Sequence, residues 1–269
     1  MEDTDKVFAG SIPALYDRYL GPLIFMPYAI DLAGRLADIR TGSILETAAG
    51  TGVVTRTLVR SLTPAVAIMA TDLNQPMLDY AAAQPGAERV TWRQADALAL
   101  PFGDGAFDAV VCQFGAMFFP DRRAAYREAR RVLKPGGRFA FNVWDRIDEN
   151  EFAHITTQAV ASVFPQDPPR FLARVPHGYY DAATIRDDLA AAGFTKVALE
   201  TVTHRSRAPS PRDPAIGYCQ GTPLRNEIEA RGKSLLEAAT EAAASAIAAR
   251  FGAGPVDGKM QAIVVIASG

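Results

Sequence analysis

The stretch "SILETAAGTGVVTRTLV", residues 43–59, runs from an apolar segment through a glycine-bearing turn into a segment of helical periodicity. Residues 43–49 read as a buried strand. Val54, Leu58 and Leu62 recur at i, i+4 and i+8, as one face of a helix requires. Between them, Ala49-Gly50-Thr51-Gly52 lets the backbone come close to a ligand, and the helix behind offers free N–H groups. A nicotinamide-type G-x-G-x-x-G would begin at Gly50 and would need glycine where Thr55 stands. No Gly-Lys-Ser/Thr follows, so this is not a Walker phosphate loop. Taken alone, the turn is equally an ordinary tight turn. Alanine at 48, where glycine might be expected, adds one methyl group, tolerable if its φ is negative.

Outward from this stretch, strand and helix signals alternate to residue 145. "VAIMATDL", "VTWRQA", "FDAVVCQFG" and "RFAFNVW" read as strands two to five. Asn74 and Asp121 stand where helix caps are expected, and Pro76 is tolerated in a first turn. "KPGG" predicts a tight turn before strand five. Strands separated by helices make a parallel sheet, and ligands sit at the carboxyl ends of its strands where strand order reverses. After 145 the pattern loosens. "NEFAHITTQAVASVF" is helical, "PQDPPRFLARVPHGYY" a proline-rich loop, and "DAATIRDDLAAAGF" a helix ending at Gly193. "TKVALETVTHRS" reads as strand six, 208–226 as loop, 227–250 as one long helix weakened at Gly232, and "MQAIVVIAS" as strand seven.

The chain has 269 residues, 49% of them hydrophobic, enough for a substantial core. Lys+Arg total 28 against 30 Asp+Glu, a net charge of -2. That balance lacks the basic footprint of nucleic-acid binding, so no nucleic-acid partner is expected. The basic run "DRRAAYREARRVLK" reads as the solvated face of a helix. Cys112 and Cys219 have no metal spacing and form no disulfide framework, which suits a reducing cytoplasm; no metal site is expected. "MEDTDKVFAG" is acidic and no signal peptide, and "GPLIFMPYAIDLAG" is too short and interrupted to span a bilayer.

Two further strand ends carry carboxylates. Asp72, about 20 residues after the first loop, is placed to accept both hydroxyls of a ribose. Asp96 is placed to accept from the exocyclic amine of adenine, with the N–H of Ala97 on a ring nitrogen. Each alone is a cap or a surface charge; three successive strand ends favour one ligand spanning them.

With "ILETAAGTG", "ATDLNQPML", "QADALALPFGDGAFDAVVCQFGAMFFPD" and "ARRVLKPGGRFAFNVW" in this order and spacing, the chain resembles the class I S-adenosylmethionine (SAM)-dependent methyltransferases. Its nearest branch is that of the ubiquinone/menaquinone-biosynthesis and other small-molecule enzymes. The resemblance covers roughly residues 43–145. It implies a doubly wound, Rossmann-like α/β fold with a seven-stranded, mostly parallel sheet, an antiparallel last strand and a helical lid. It also implies a single domain over 1–269, with a cofactor core at about 40–145 and lid segments at about 8–35, 146–180 and 208–252. The implied cofactor is SAM, with S-adenosylhomocysteine as product. Glu46 matches the acidic residue of the first motif, and Ala48, Ala49, Gly50, Thr51 and Gly52 would lie against the methionine end. Asp72 would hold the ribose, Leu73 would flank the adenine, and Asp96 and Ala97 would read its edge. Gln113 would offer its backbone carbonyl to the methionine amine, with Phe114 beside it. Glu at 46 and Ala at 48 depart from the commonest pattern.

The implied reaction is an in-line transfer of methyl to O, N or C of a small, partly apolar or aromatic metabolite. Candidate bases are His154 and His177, though a surface or packing histidine is the commoner reading of each; Tyr19 is a weak further candidate and, as a lid residue over the methyl donor, a cofactor-binding one. His204 is expected to end strand six, away from the cofactor. Aromatics in three flaps predict an apolar enclosure: Tyr16, Tyr19, Phe25 and Tyr28; Phe164, Phe171, Tyr179 and Tyr180; and "YCQGTPL". No Asn/Asp-Pro-Pro-aromatic tetrapeptide follows strand four, and no Pro-Cys occurs, which argues against nucleic-acid amino or cytosine C5 methylation. Protein or RNA modification, a SAM-binding module without turnover, and a nicotinamide oxidoreductase are the competing readings.

Overall fold

The computed structural model describes residues 12–269; the acidic N-terminal stretch and the first residues of the expected lid lie outside the described residues. The chain begins with α1 (Ile12–Leu15), a π-helical stretch (Tyr16–Phe25), α2 (Met26–Gly34), β1 (Gly42–Glu46), α3 (Val53–Ser61) and β2 (Val66–Asp72). Then come α4 (Gln75–Ala82), β3 (Val90–Gln94), β4 (Phe107–Gln113), α5 (Arg122–Val132), β5 (Leu133–Trp144), α6 (Glu151–Val163) and α7 (Phe171–Arg174). The remainder is α8 (Ala182–Ala191), β6 (Lys196–Ala208), α9 (Arg212–Gln220), α10 (Leu224–Arg231), α11 (Leu236–Phe251) and β7 (Val256–Ser268).

The seven strands form one sheet in the order β3-β2-β1-β4-β5-β7-β6. The pairs β1–β2, β1–β4, β2–β3 and β4–β5 are all parallel. β6 and β7 run antiparallel: Thr195 N–H donates to Ser268 O at 3.1 Å, and Thr203 Oγ1 to Gln261 Oε1 at 2.9 Å. Strand order therefore reverses between β1 and β4, the place where a doubly wound sheet binds its ligand. The mostly parallel, Rossmann-like sheet with antiparallel closing strands is the fold class expected.

The chain divides into two compact units. The first comprises 26–143, 179–201 and 263–269 and holds β1 to β4 and most of β5. Its central strands are apolar throughout because both faces are covered: Ile44, Leu45, the run 109–112 and Phe139 to Phe141 are buried. Tyr126 of α5 packs on Phe139 and Phe141, ring centroids 5.5 and 5.3 Å away. Each such ring stabilises by roughly 1.5–3 kcal/mol through burial. The Tyr126 hydroxyl, which burial keeps protonated, lies 3.4 Å from that of Tyr179, which donates to Asp188 Oδ2 at 3.0 Å. Asp188 in turn accepts from Arg123 Nε at 2.7 Å.

The second unit comprises the described residues up to 25 together with 144–178 and 202–262. It is built on α6, α9 and α11 with the π-helical stretch. α11 presents Ala239, Ala243 and Ala244 as buried positions, small enough for close helix approach. Gly217 of α9 lies where a Cβ would come within 2.7 Å of Leu20 Cδ2, so the helix crossing needs glycine there. Asn150, before α6, ties itself to β7: Gln261 N–H donates to its Oδ1 at 3.0 Å, and its Nδ2 donates to Gln261 O at 3.2 Å.

Several expectations are corrected. Residues 208–226 are not loop but carry α9 and the start of α10: Pro214 falls in the first turn of α9, where its missing N–H costs nothing. The long helix breaks at Gly232 into α10 and α11 with a short 3-10 turn between them. "KPGG" lies inside β5 as a register shift, between the pairs Phe107↔Leu133 and Ala109↔Arg138. Asn74 sits at the N-cap of α4, but its side chain bonds Asp72 and not the helix. His204 lies within β6, four residues short of its end.

Asp188→Ala is expected to lower the unfolding free energy by about 1–3 kcal/mol, because the buried Tyr179 hydroxyl loses its acceptor. Arg123→Ala, whose guanidinium is half exposed, is expected to cost less than Asp188→Ala. Urea unfolding of both variants checks the difference.

Candidate functional site

In the first unit, the ends of β1, β2 and β4 meet at the strand-order reversal. After Glu46 the chain does not leave the sheet at once. Thr47 N–H donates to Val111 O of β4, and Ala49 N–H to Thr71 O of β2, both at 2.9 Å. Between these two anchors Ala48 takes a φ of 52°. The negative φ set as the condition for tolerating its methyl group is not adopted. A left-handed alanine costs about 1–2 kcal/mol, and the two flanking hydrogen bonds impose it. Its methyl group fits because residue 115 is glycine: a Cβ at Gly115 would lie 2.5 Å from Ala48 Cβ and 2.8 Å from Cys112 Sγ.

Gly50 and Gly52 continue the loop with φ of 56° and 78°. A Cβ on Gly50 would meet only Met77 Cε, at 3.8 Å, so the space above the turn is open. Gly50 N–H donates to Asp72 Oδ2 at 2.8 Å, and Asn74 N–H to Asp72 Oδ1 at 2.8 Å. The Asp72 carboxylate thus ties the loop after β1 to the start of α4. Oδ1 also accepts from Asn74 Nδ2 at 3.4 Å, while Oδ2 keeps a lone pair for a further donor. Thr51 is buried, and its Oγ1 has no partner among the described residues.

Glu46 is 2% exposed. Its Oε2 accepts from Thr55 Oγ1 at 2.5 Å, so the residue at the missing third glycine position serves the motif's carboxyl. Burial pushes the Glu46 carboxyl up to about 8, with the Thr55 bond opposing and the Asp72 charge adding to the rise. Burial also raises Asp72, against the N–H groups of Asn74 and Gly50. Two carboxyls therefore sit together with no side-chain cation bonded to either among the described residues, a setting that favours a cationic ligand.

The other expected residues stand as follows. Leu73 is 46% exposed, unusual for leucine, directly after β2. Asp96 is exposed beyond β3 and accepts from Leu98 N–H at 2.9 Å, with Ala97 beside it half-buried. Gln113 ends β4, and Phe114 follows with a φ of 50°, its ring edge-on to the buried Tyr28. Asn142 of β5 was not singled out in the sequence. Its Oδ1 accepts from Phe114 N–H at 3.0 Å. A polar residue inside the apolar run "FAFNVW" is the signal that would have found it.

In the second unit, His177 is buried and its Nδ1 lies 2.8 Å from Asp145 O; a carbonyl partner places the proton on Nδ1 and leaves the Nε2 lone pair available. Burial lowers it to about 4, so the ring is neutral at physiological pH. Its ring neighbours Trp144, which neighbours Phe25, which stacks on Tyr16. His154 is half-buried on α6 beside Gln158, and Tyr19 half-buried under the Arg18 guanidinium. Tyr218 is buried, and desolvation alone suppresses ionisation of its hydroxyl. Among the described residues no cluster of three or more His, Cys, Asp or Glu has a metal-holding arrangement, and no helix is long and apolar enough to cross a membrane.

Residues 45–141 match the family model described as a methyltransferase domain. The ubiquinone/menaquinone biosynthesis C-methyltransferase of Pseudomonas aeruginosa is 30% identical over 213 residues, 74% of this chain and 78% of that protein. The demethylmenaquinone methyltransferase of Thermus thermophilus is 43% identical over 112 residues, 41% of this chain and 49% of that one. Among solved structures, Haemonchus contortus phosphoethanolamine N-methyltransferase 2, bound to S-adenosylhomocysteine, superposes with a TM-score of 0.60 at 17% identity, covering 98% of this chain and 59% of the other. At that identity the likeness concerns the fold alone.

One consequence of the raised Glu46 carboxyl is measurable without ligand. The folded state holds a proton that the unfolded state releases near 4.5. This contribution to stability is fully present below that pH and is lost as pH rises through about 8. Glu46→Gln should therefore flatten the fall of melting temperature between pH 5 and 8, leaving the slope from Asp72. An unchanged slope would show that Glu46 is ionised in the folded protein.

Proposed function

The chain belongs to the class I SAM-dependent methyltransferases, in the branch of the ubiquinone/menaquinone-biosynthesis enzymes, and on that premise we propose that the loop cluster at the ends of β1, β2 and β4 is its cofactor site. The cluster suits SAM chemically. The space above Gly50 admits close approach, the partnerless Thr51 hydroxyl offers a polar contact, and the Glu46–Asp72 pair offsets positive charge. In this reading Glu46 and residues 48–52 take the methionine end. Asp72 takes the ribose hydroxyls, and the exposed Leu73 covers the adenine face. Asp96 and Ala97 take the adenine edge, and the Gln113 carbonyl takes the amine with Phe114 alongside.

Bound SAM supplies a methyl group already activated on a sulfonium, so alignment matters more than activation. Correct alignment is worth ~7–11 kcal/mol of the barrier. The chain contributes it through a loop held at both neighbouring strands and by Asp72, with little freedom left to lose. Glu46 ionises most readily when a cation is near, and so discriminates for a charged ligand.

The acceptor is a small aromatic ring of the quinol type, methylated at carbon, with an apolar substituent. The names of the bacterial relatives support this, as does the aromatic series Tyr16, Phe25, Trp144 and His177 of the second unit. A ring carbon becomes a good nucleophile when its neighbouring hydroxyl loses a proton. Of the three candidates, His177 suits that step by geometry: the Asp145 carbonyl orients it with Nε2 left to accept the proton, although the burial that lowers it to about 4 weakens it as a base. His154 and Tyr19 lack a comparable orienting partner. Two free, buried cysteines fit a cytoplasmic location.

Calorimetric titration should show binding of both SAM and S-adenosylhomocysteine. Asp72→Asn is expected to weaken both at least tenfold, because charge-assisted bonds are lost and an amide replaces one acceptor. Unchanged affinity would remove Asp72 from the site. With labelled SAM and a demethylated quinol, label should appear on the ring carbon. His177→Gln should lower kcat by ~10²–10⁴ while leaving the SAM affinity intact. Binding without transfer to any small acceptor would instead indicate a module that binds and does not methylate.

A further inference from the structure

Two residues at the strand-order reversal hold left-handed backbone without being glycine, Ala48 and Phe114, and both stand next to the Gly115 contact. Ala48 is imposed by hydrogen bonds on either side. Phe114 needs another cause, because a bulky residue at positive φ is disfavoured. The Phe114 N–H is held twice by one residue: Asn142 accepts it with its backbone O at 3.1 Å and with its side-chain Oδ1 at 3.0 Å. Asn142 is fully buried, and its Nδ2 has no partner among the described residues. A half-satisfied buried amide is a poor choice for stability, where an aliphatic residue would fill the same space without an unmet donor. Strain and an unmet polar group at one point mark a position kept for a geometric task.

We propose that Asn142 is a positioning residue for the methyl donor: it clamps Phe114 in the left-handed turn and so presents the Gln113 carbonyl to the donor's amine. The inference rests on the cofactor site proposed above. β4 and β5 pair as Gln113↔Asn142, so the clamp sits opposite the carbonyl it controls. Without Oδ1, Phe114 N–H keeps only the ladder bond, and Phe114 is free to relax toward negative φ. That relaxation rotates the peptide between Gln113 and Phe114 and takes the Gln113 carbonyl with it. The acceptor substrate is not touched by this change.

The test measures the Kd of SAM and S-adenosylhomocysteine and the KM of both substrates in wild type, Asn142→Leu and Asn142→Thr. Threonine favours strands and carries its hydroxyl one bond too short to reach Phe114 N–H, so it keeps the test open where leucine fails to fold. Both variants should weaken the two cofactor forms at least tenfold and raise the KM for SAM in parallel. The acceptor KM should stay within twofold. Asp188→Ala, which weakens the same unit elsewhere, should leave the KM for SAM unchanged, separating position from stability. In a Phe114→Gly background, where glycine adopts positive φ freely, Asn142→Leu should have less than a threefold effect. Unchanged SAM affinity in both Asn142 variants, with wild type binding normally, would overturn the clamp and leave the cofactor site standing. A wild type that binds neither ligand would overturn both.

Discussion

A single methyl group decides how the two central strands part. Ala48 Cβ occupies the space in which any side chain at 115 would have to sit. The loops after β1 and β4 can therefore lie against each other, and the turn that follows Ala48 starts from a fixed point. Were residue 115 larger, the β4 end would be pushed away, and Gly50 and Gly52 would no longer stand over the start of α3. The left-handed geometry of Ala48 is sustained by Thr47 and Ala49, each bonded to a different neighbouring strand. Local strain is thus carried by the sheet itself, the stiffest part of the molecule.

Electrostatics complete what packing begins. Asp72 stitches the loop to the next helix through two backbone N–H groups, and Glu46 lies behind it in a buried pocket closed by Thr55. Among the described residues neither carboxyl has a cationic side chain bonded to it. Desolvation raises both, so the unit stores acidity that a positively charged ligand relieves. A methyl donor carrying a sulfonium suits that field better than a nicotinamide carrying a pyrophosphate, whose negative charge would meet two carboxyls at close range. The absence of a third glycine has the same meaning, since Thr55 is needed for Glu46.

The second unit follows a different logic. Alanines on α11 and the glycine of α9 allow its helices to approach closely. Aromatic side chains and a neutral, oriented histidine are gathered in one series, with Asp145 holding the imidazole tautomer.

Much of the first unit was legible from residues 43–145, because a parallel sheet buried on both faces writes itself as apolar runs ending in glutamate, aspartate or glutamine. β1 to β4 end where Glu46, Asp72, Gln94 and Gln113 stand, close to the bounds expected from pattern alone. The helices α9 and α10 were not legible, since Pro211, Pro214, Gly217 and Gly221 read as loop until tertiary packing shows a first-turn proline and a glycine at a helix crossing. The sequence by itself determined the alternation of strands and helices over residues 43–145 and the chemical groups at the strand ends, because periodicity and turn chemistry are local. Only the tertiary structure decided the signs of φ at Ala48 and Phe114, the partner of Glu46 and the clamp of Asn142. Each depends on a contact between residues far apart in the chain, and no local pattern encodes which distant residue has left room.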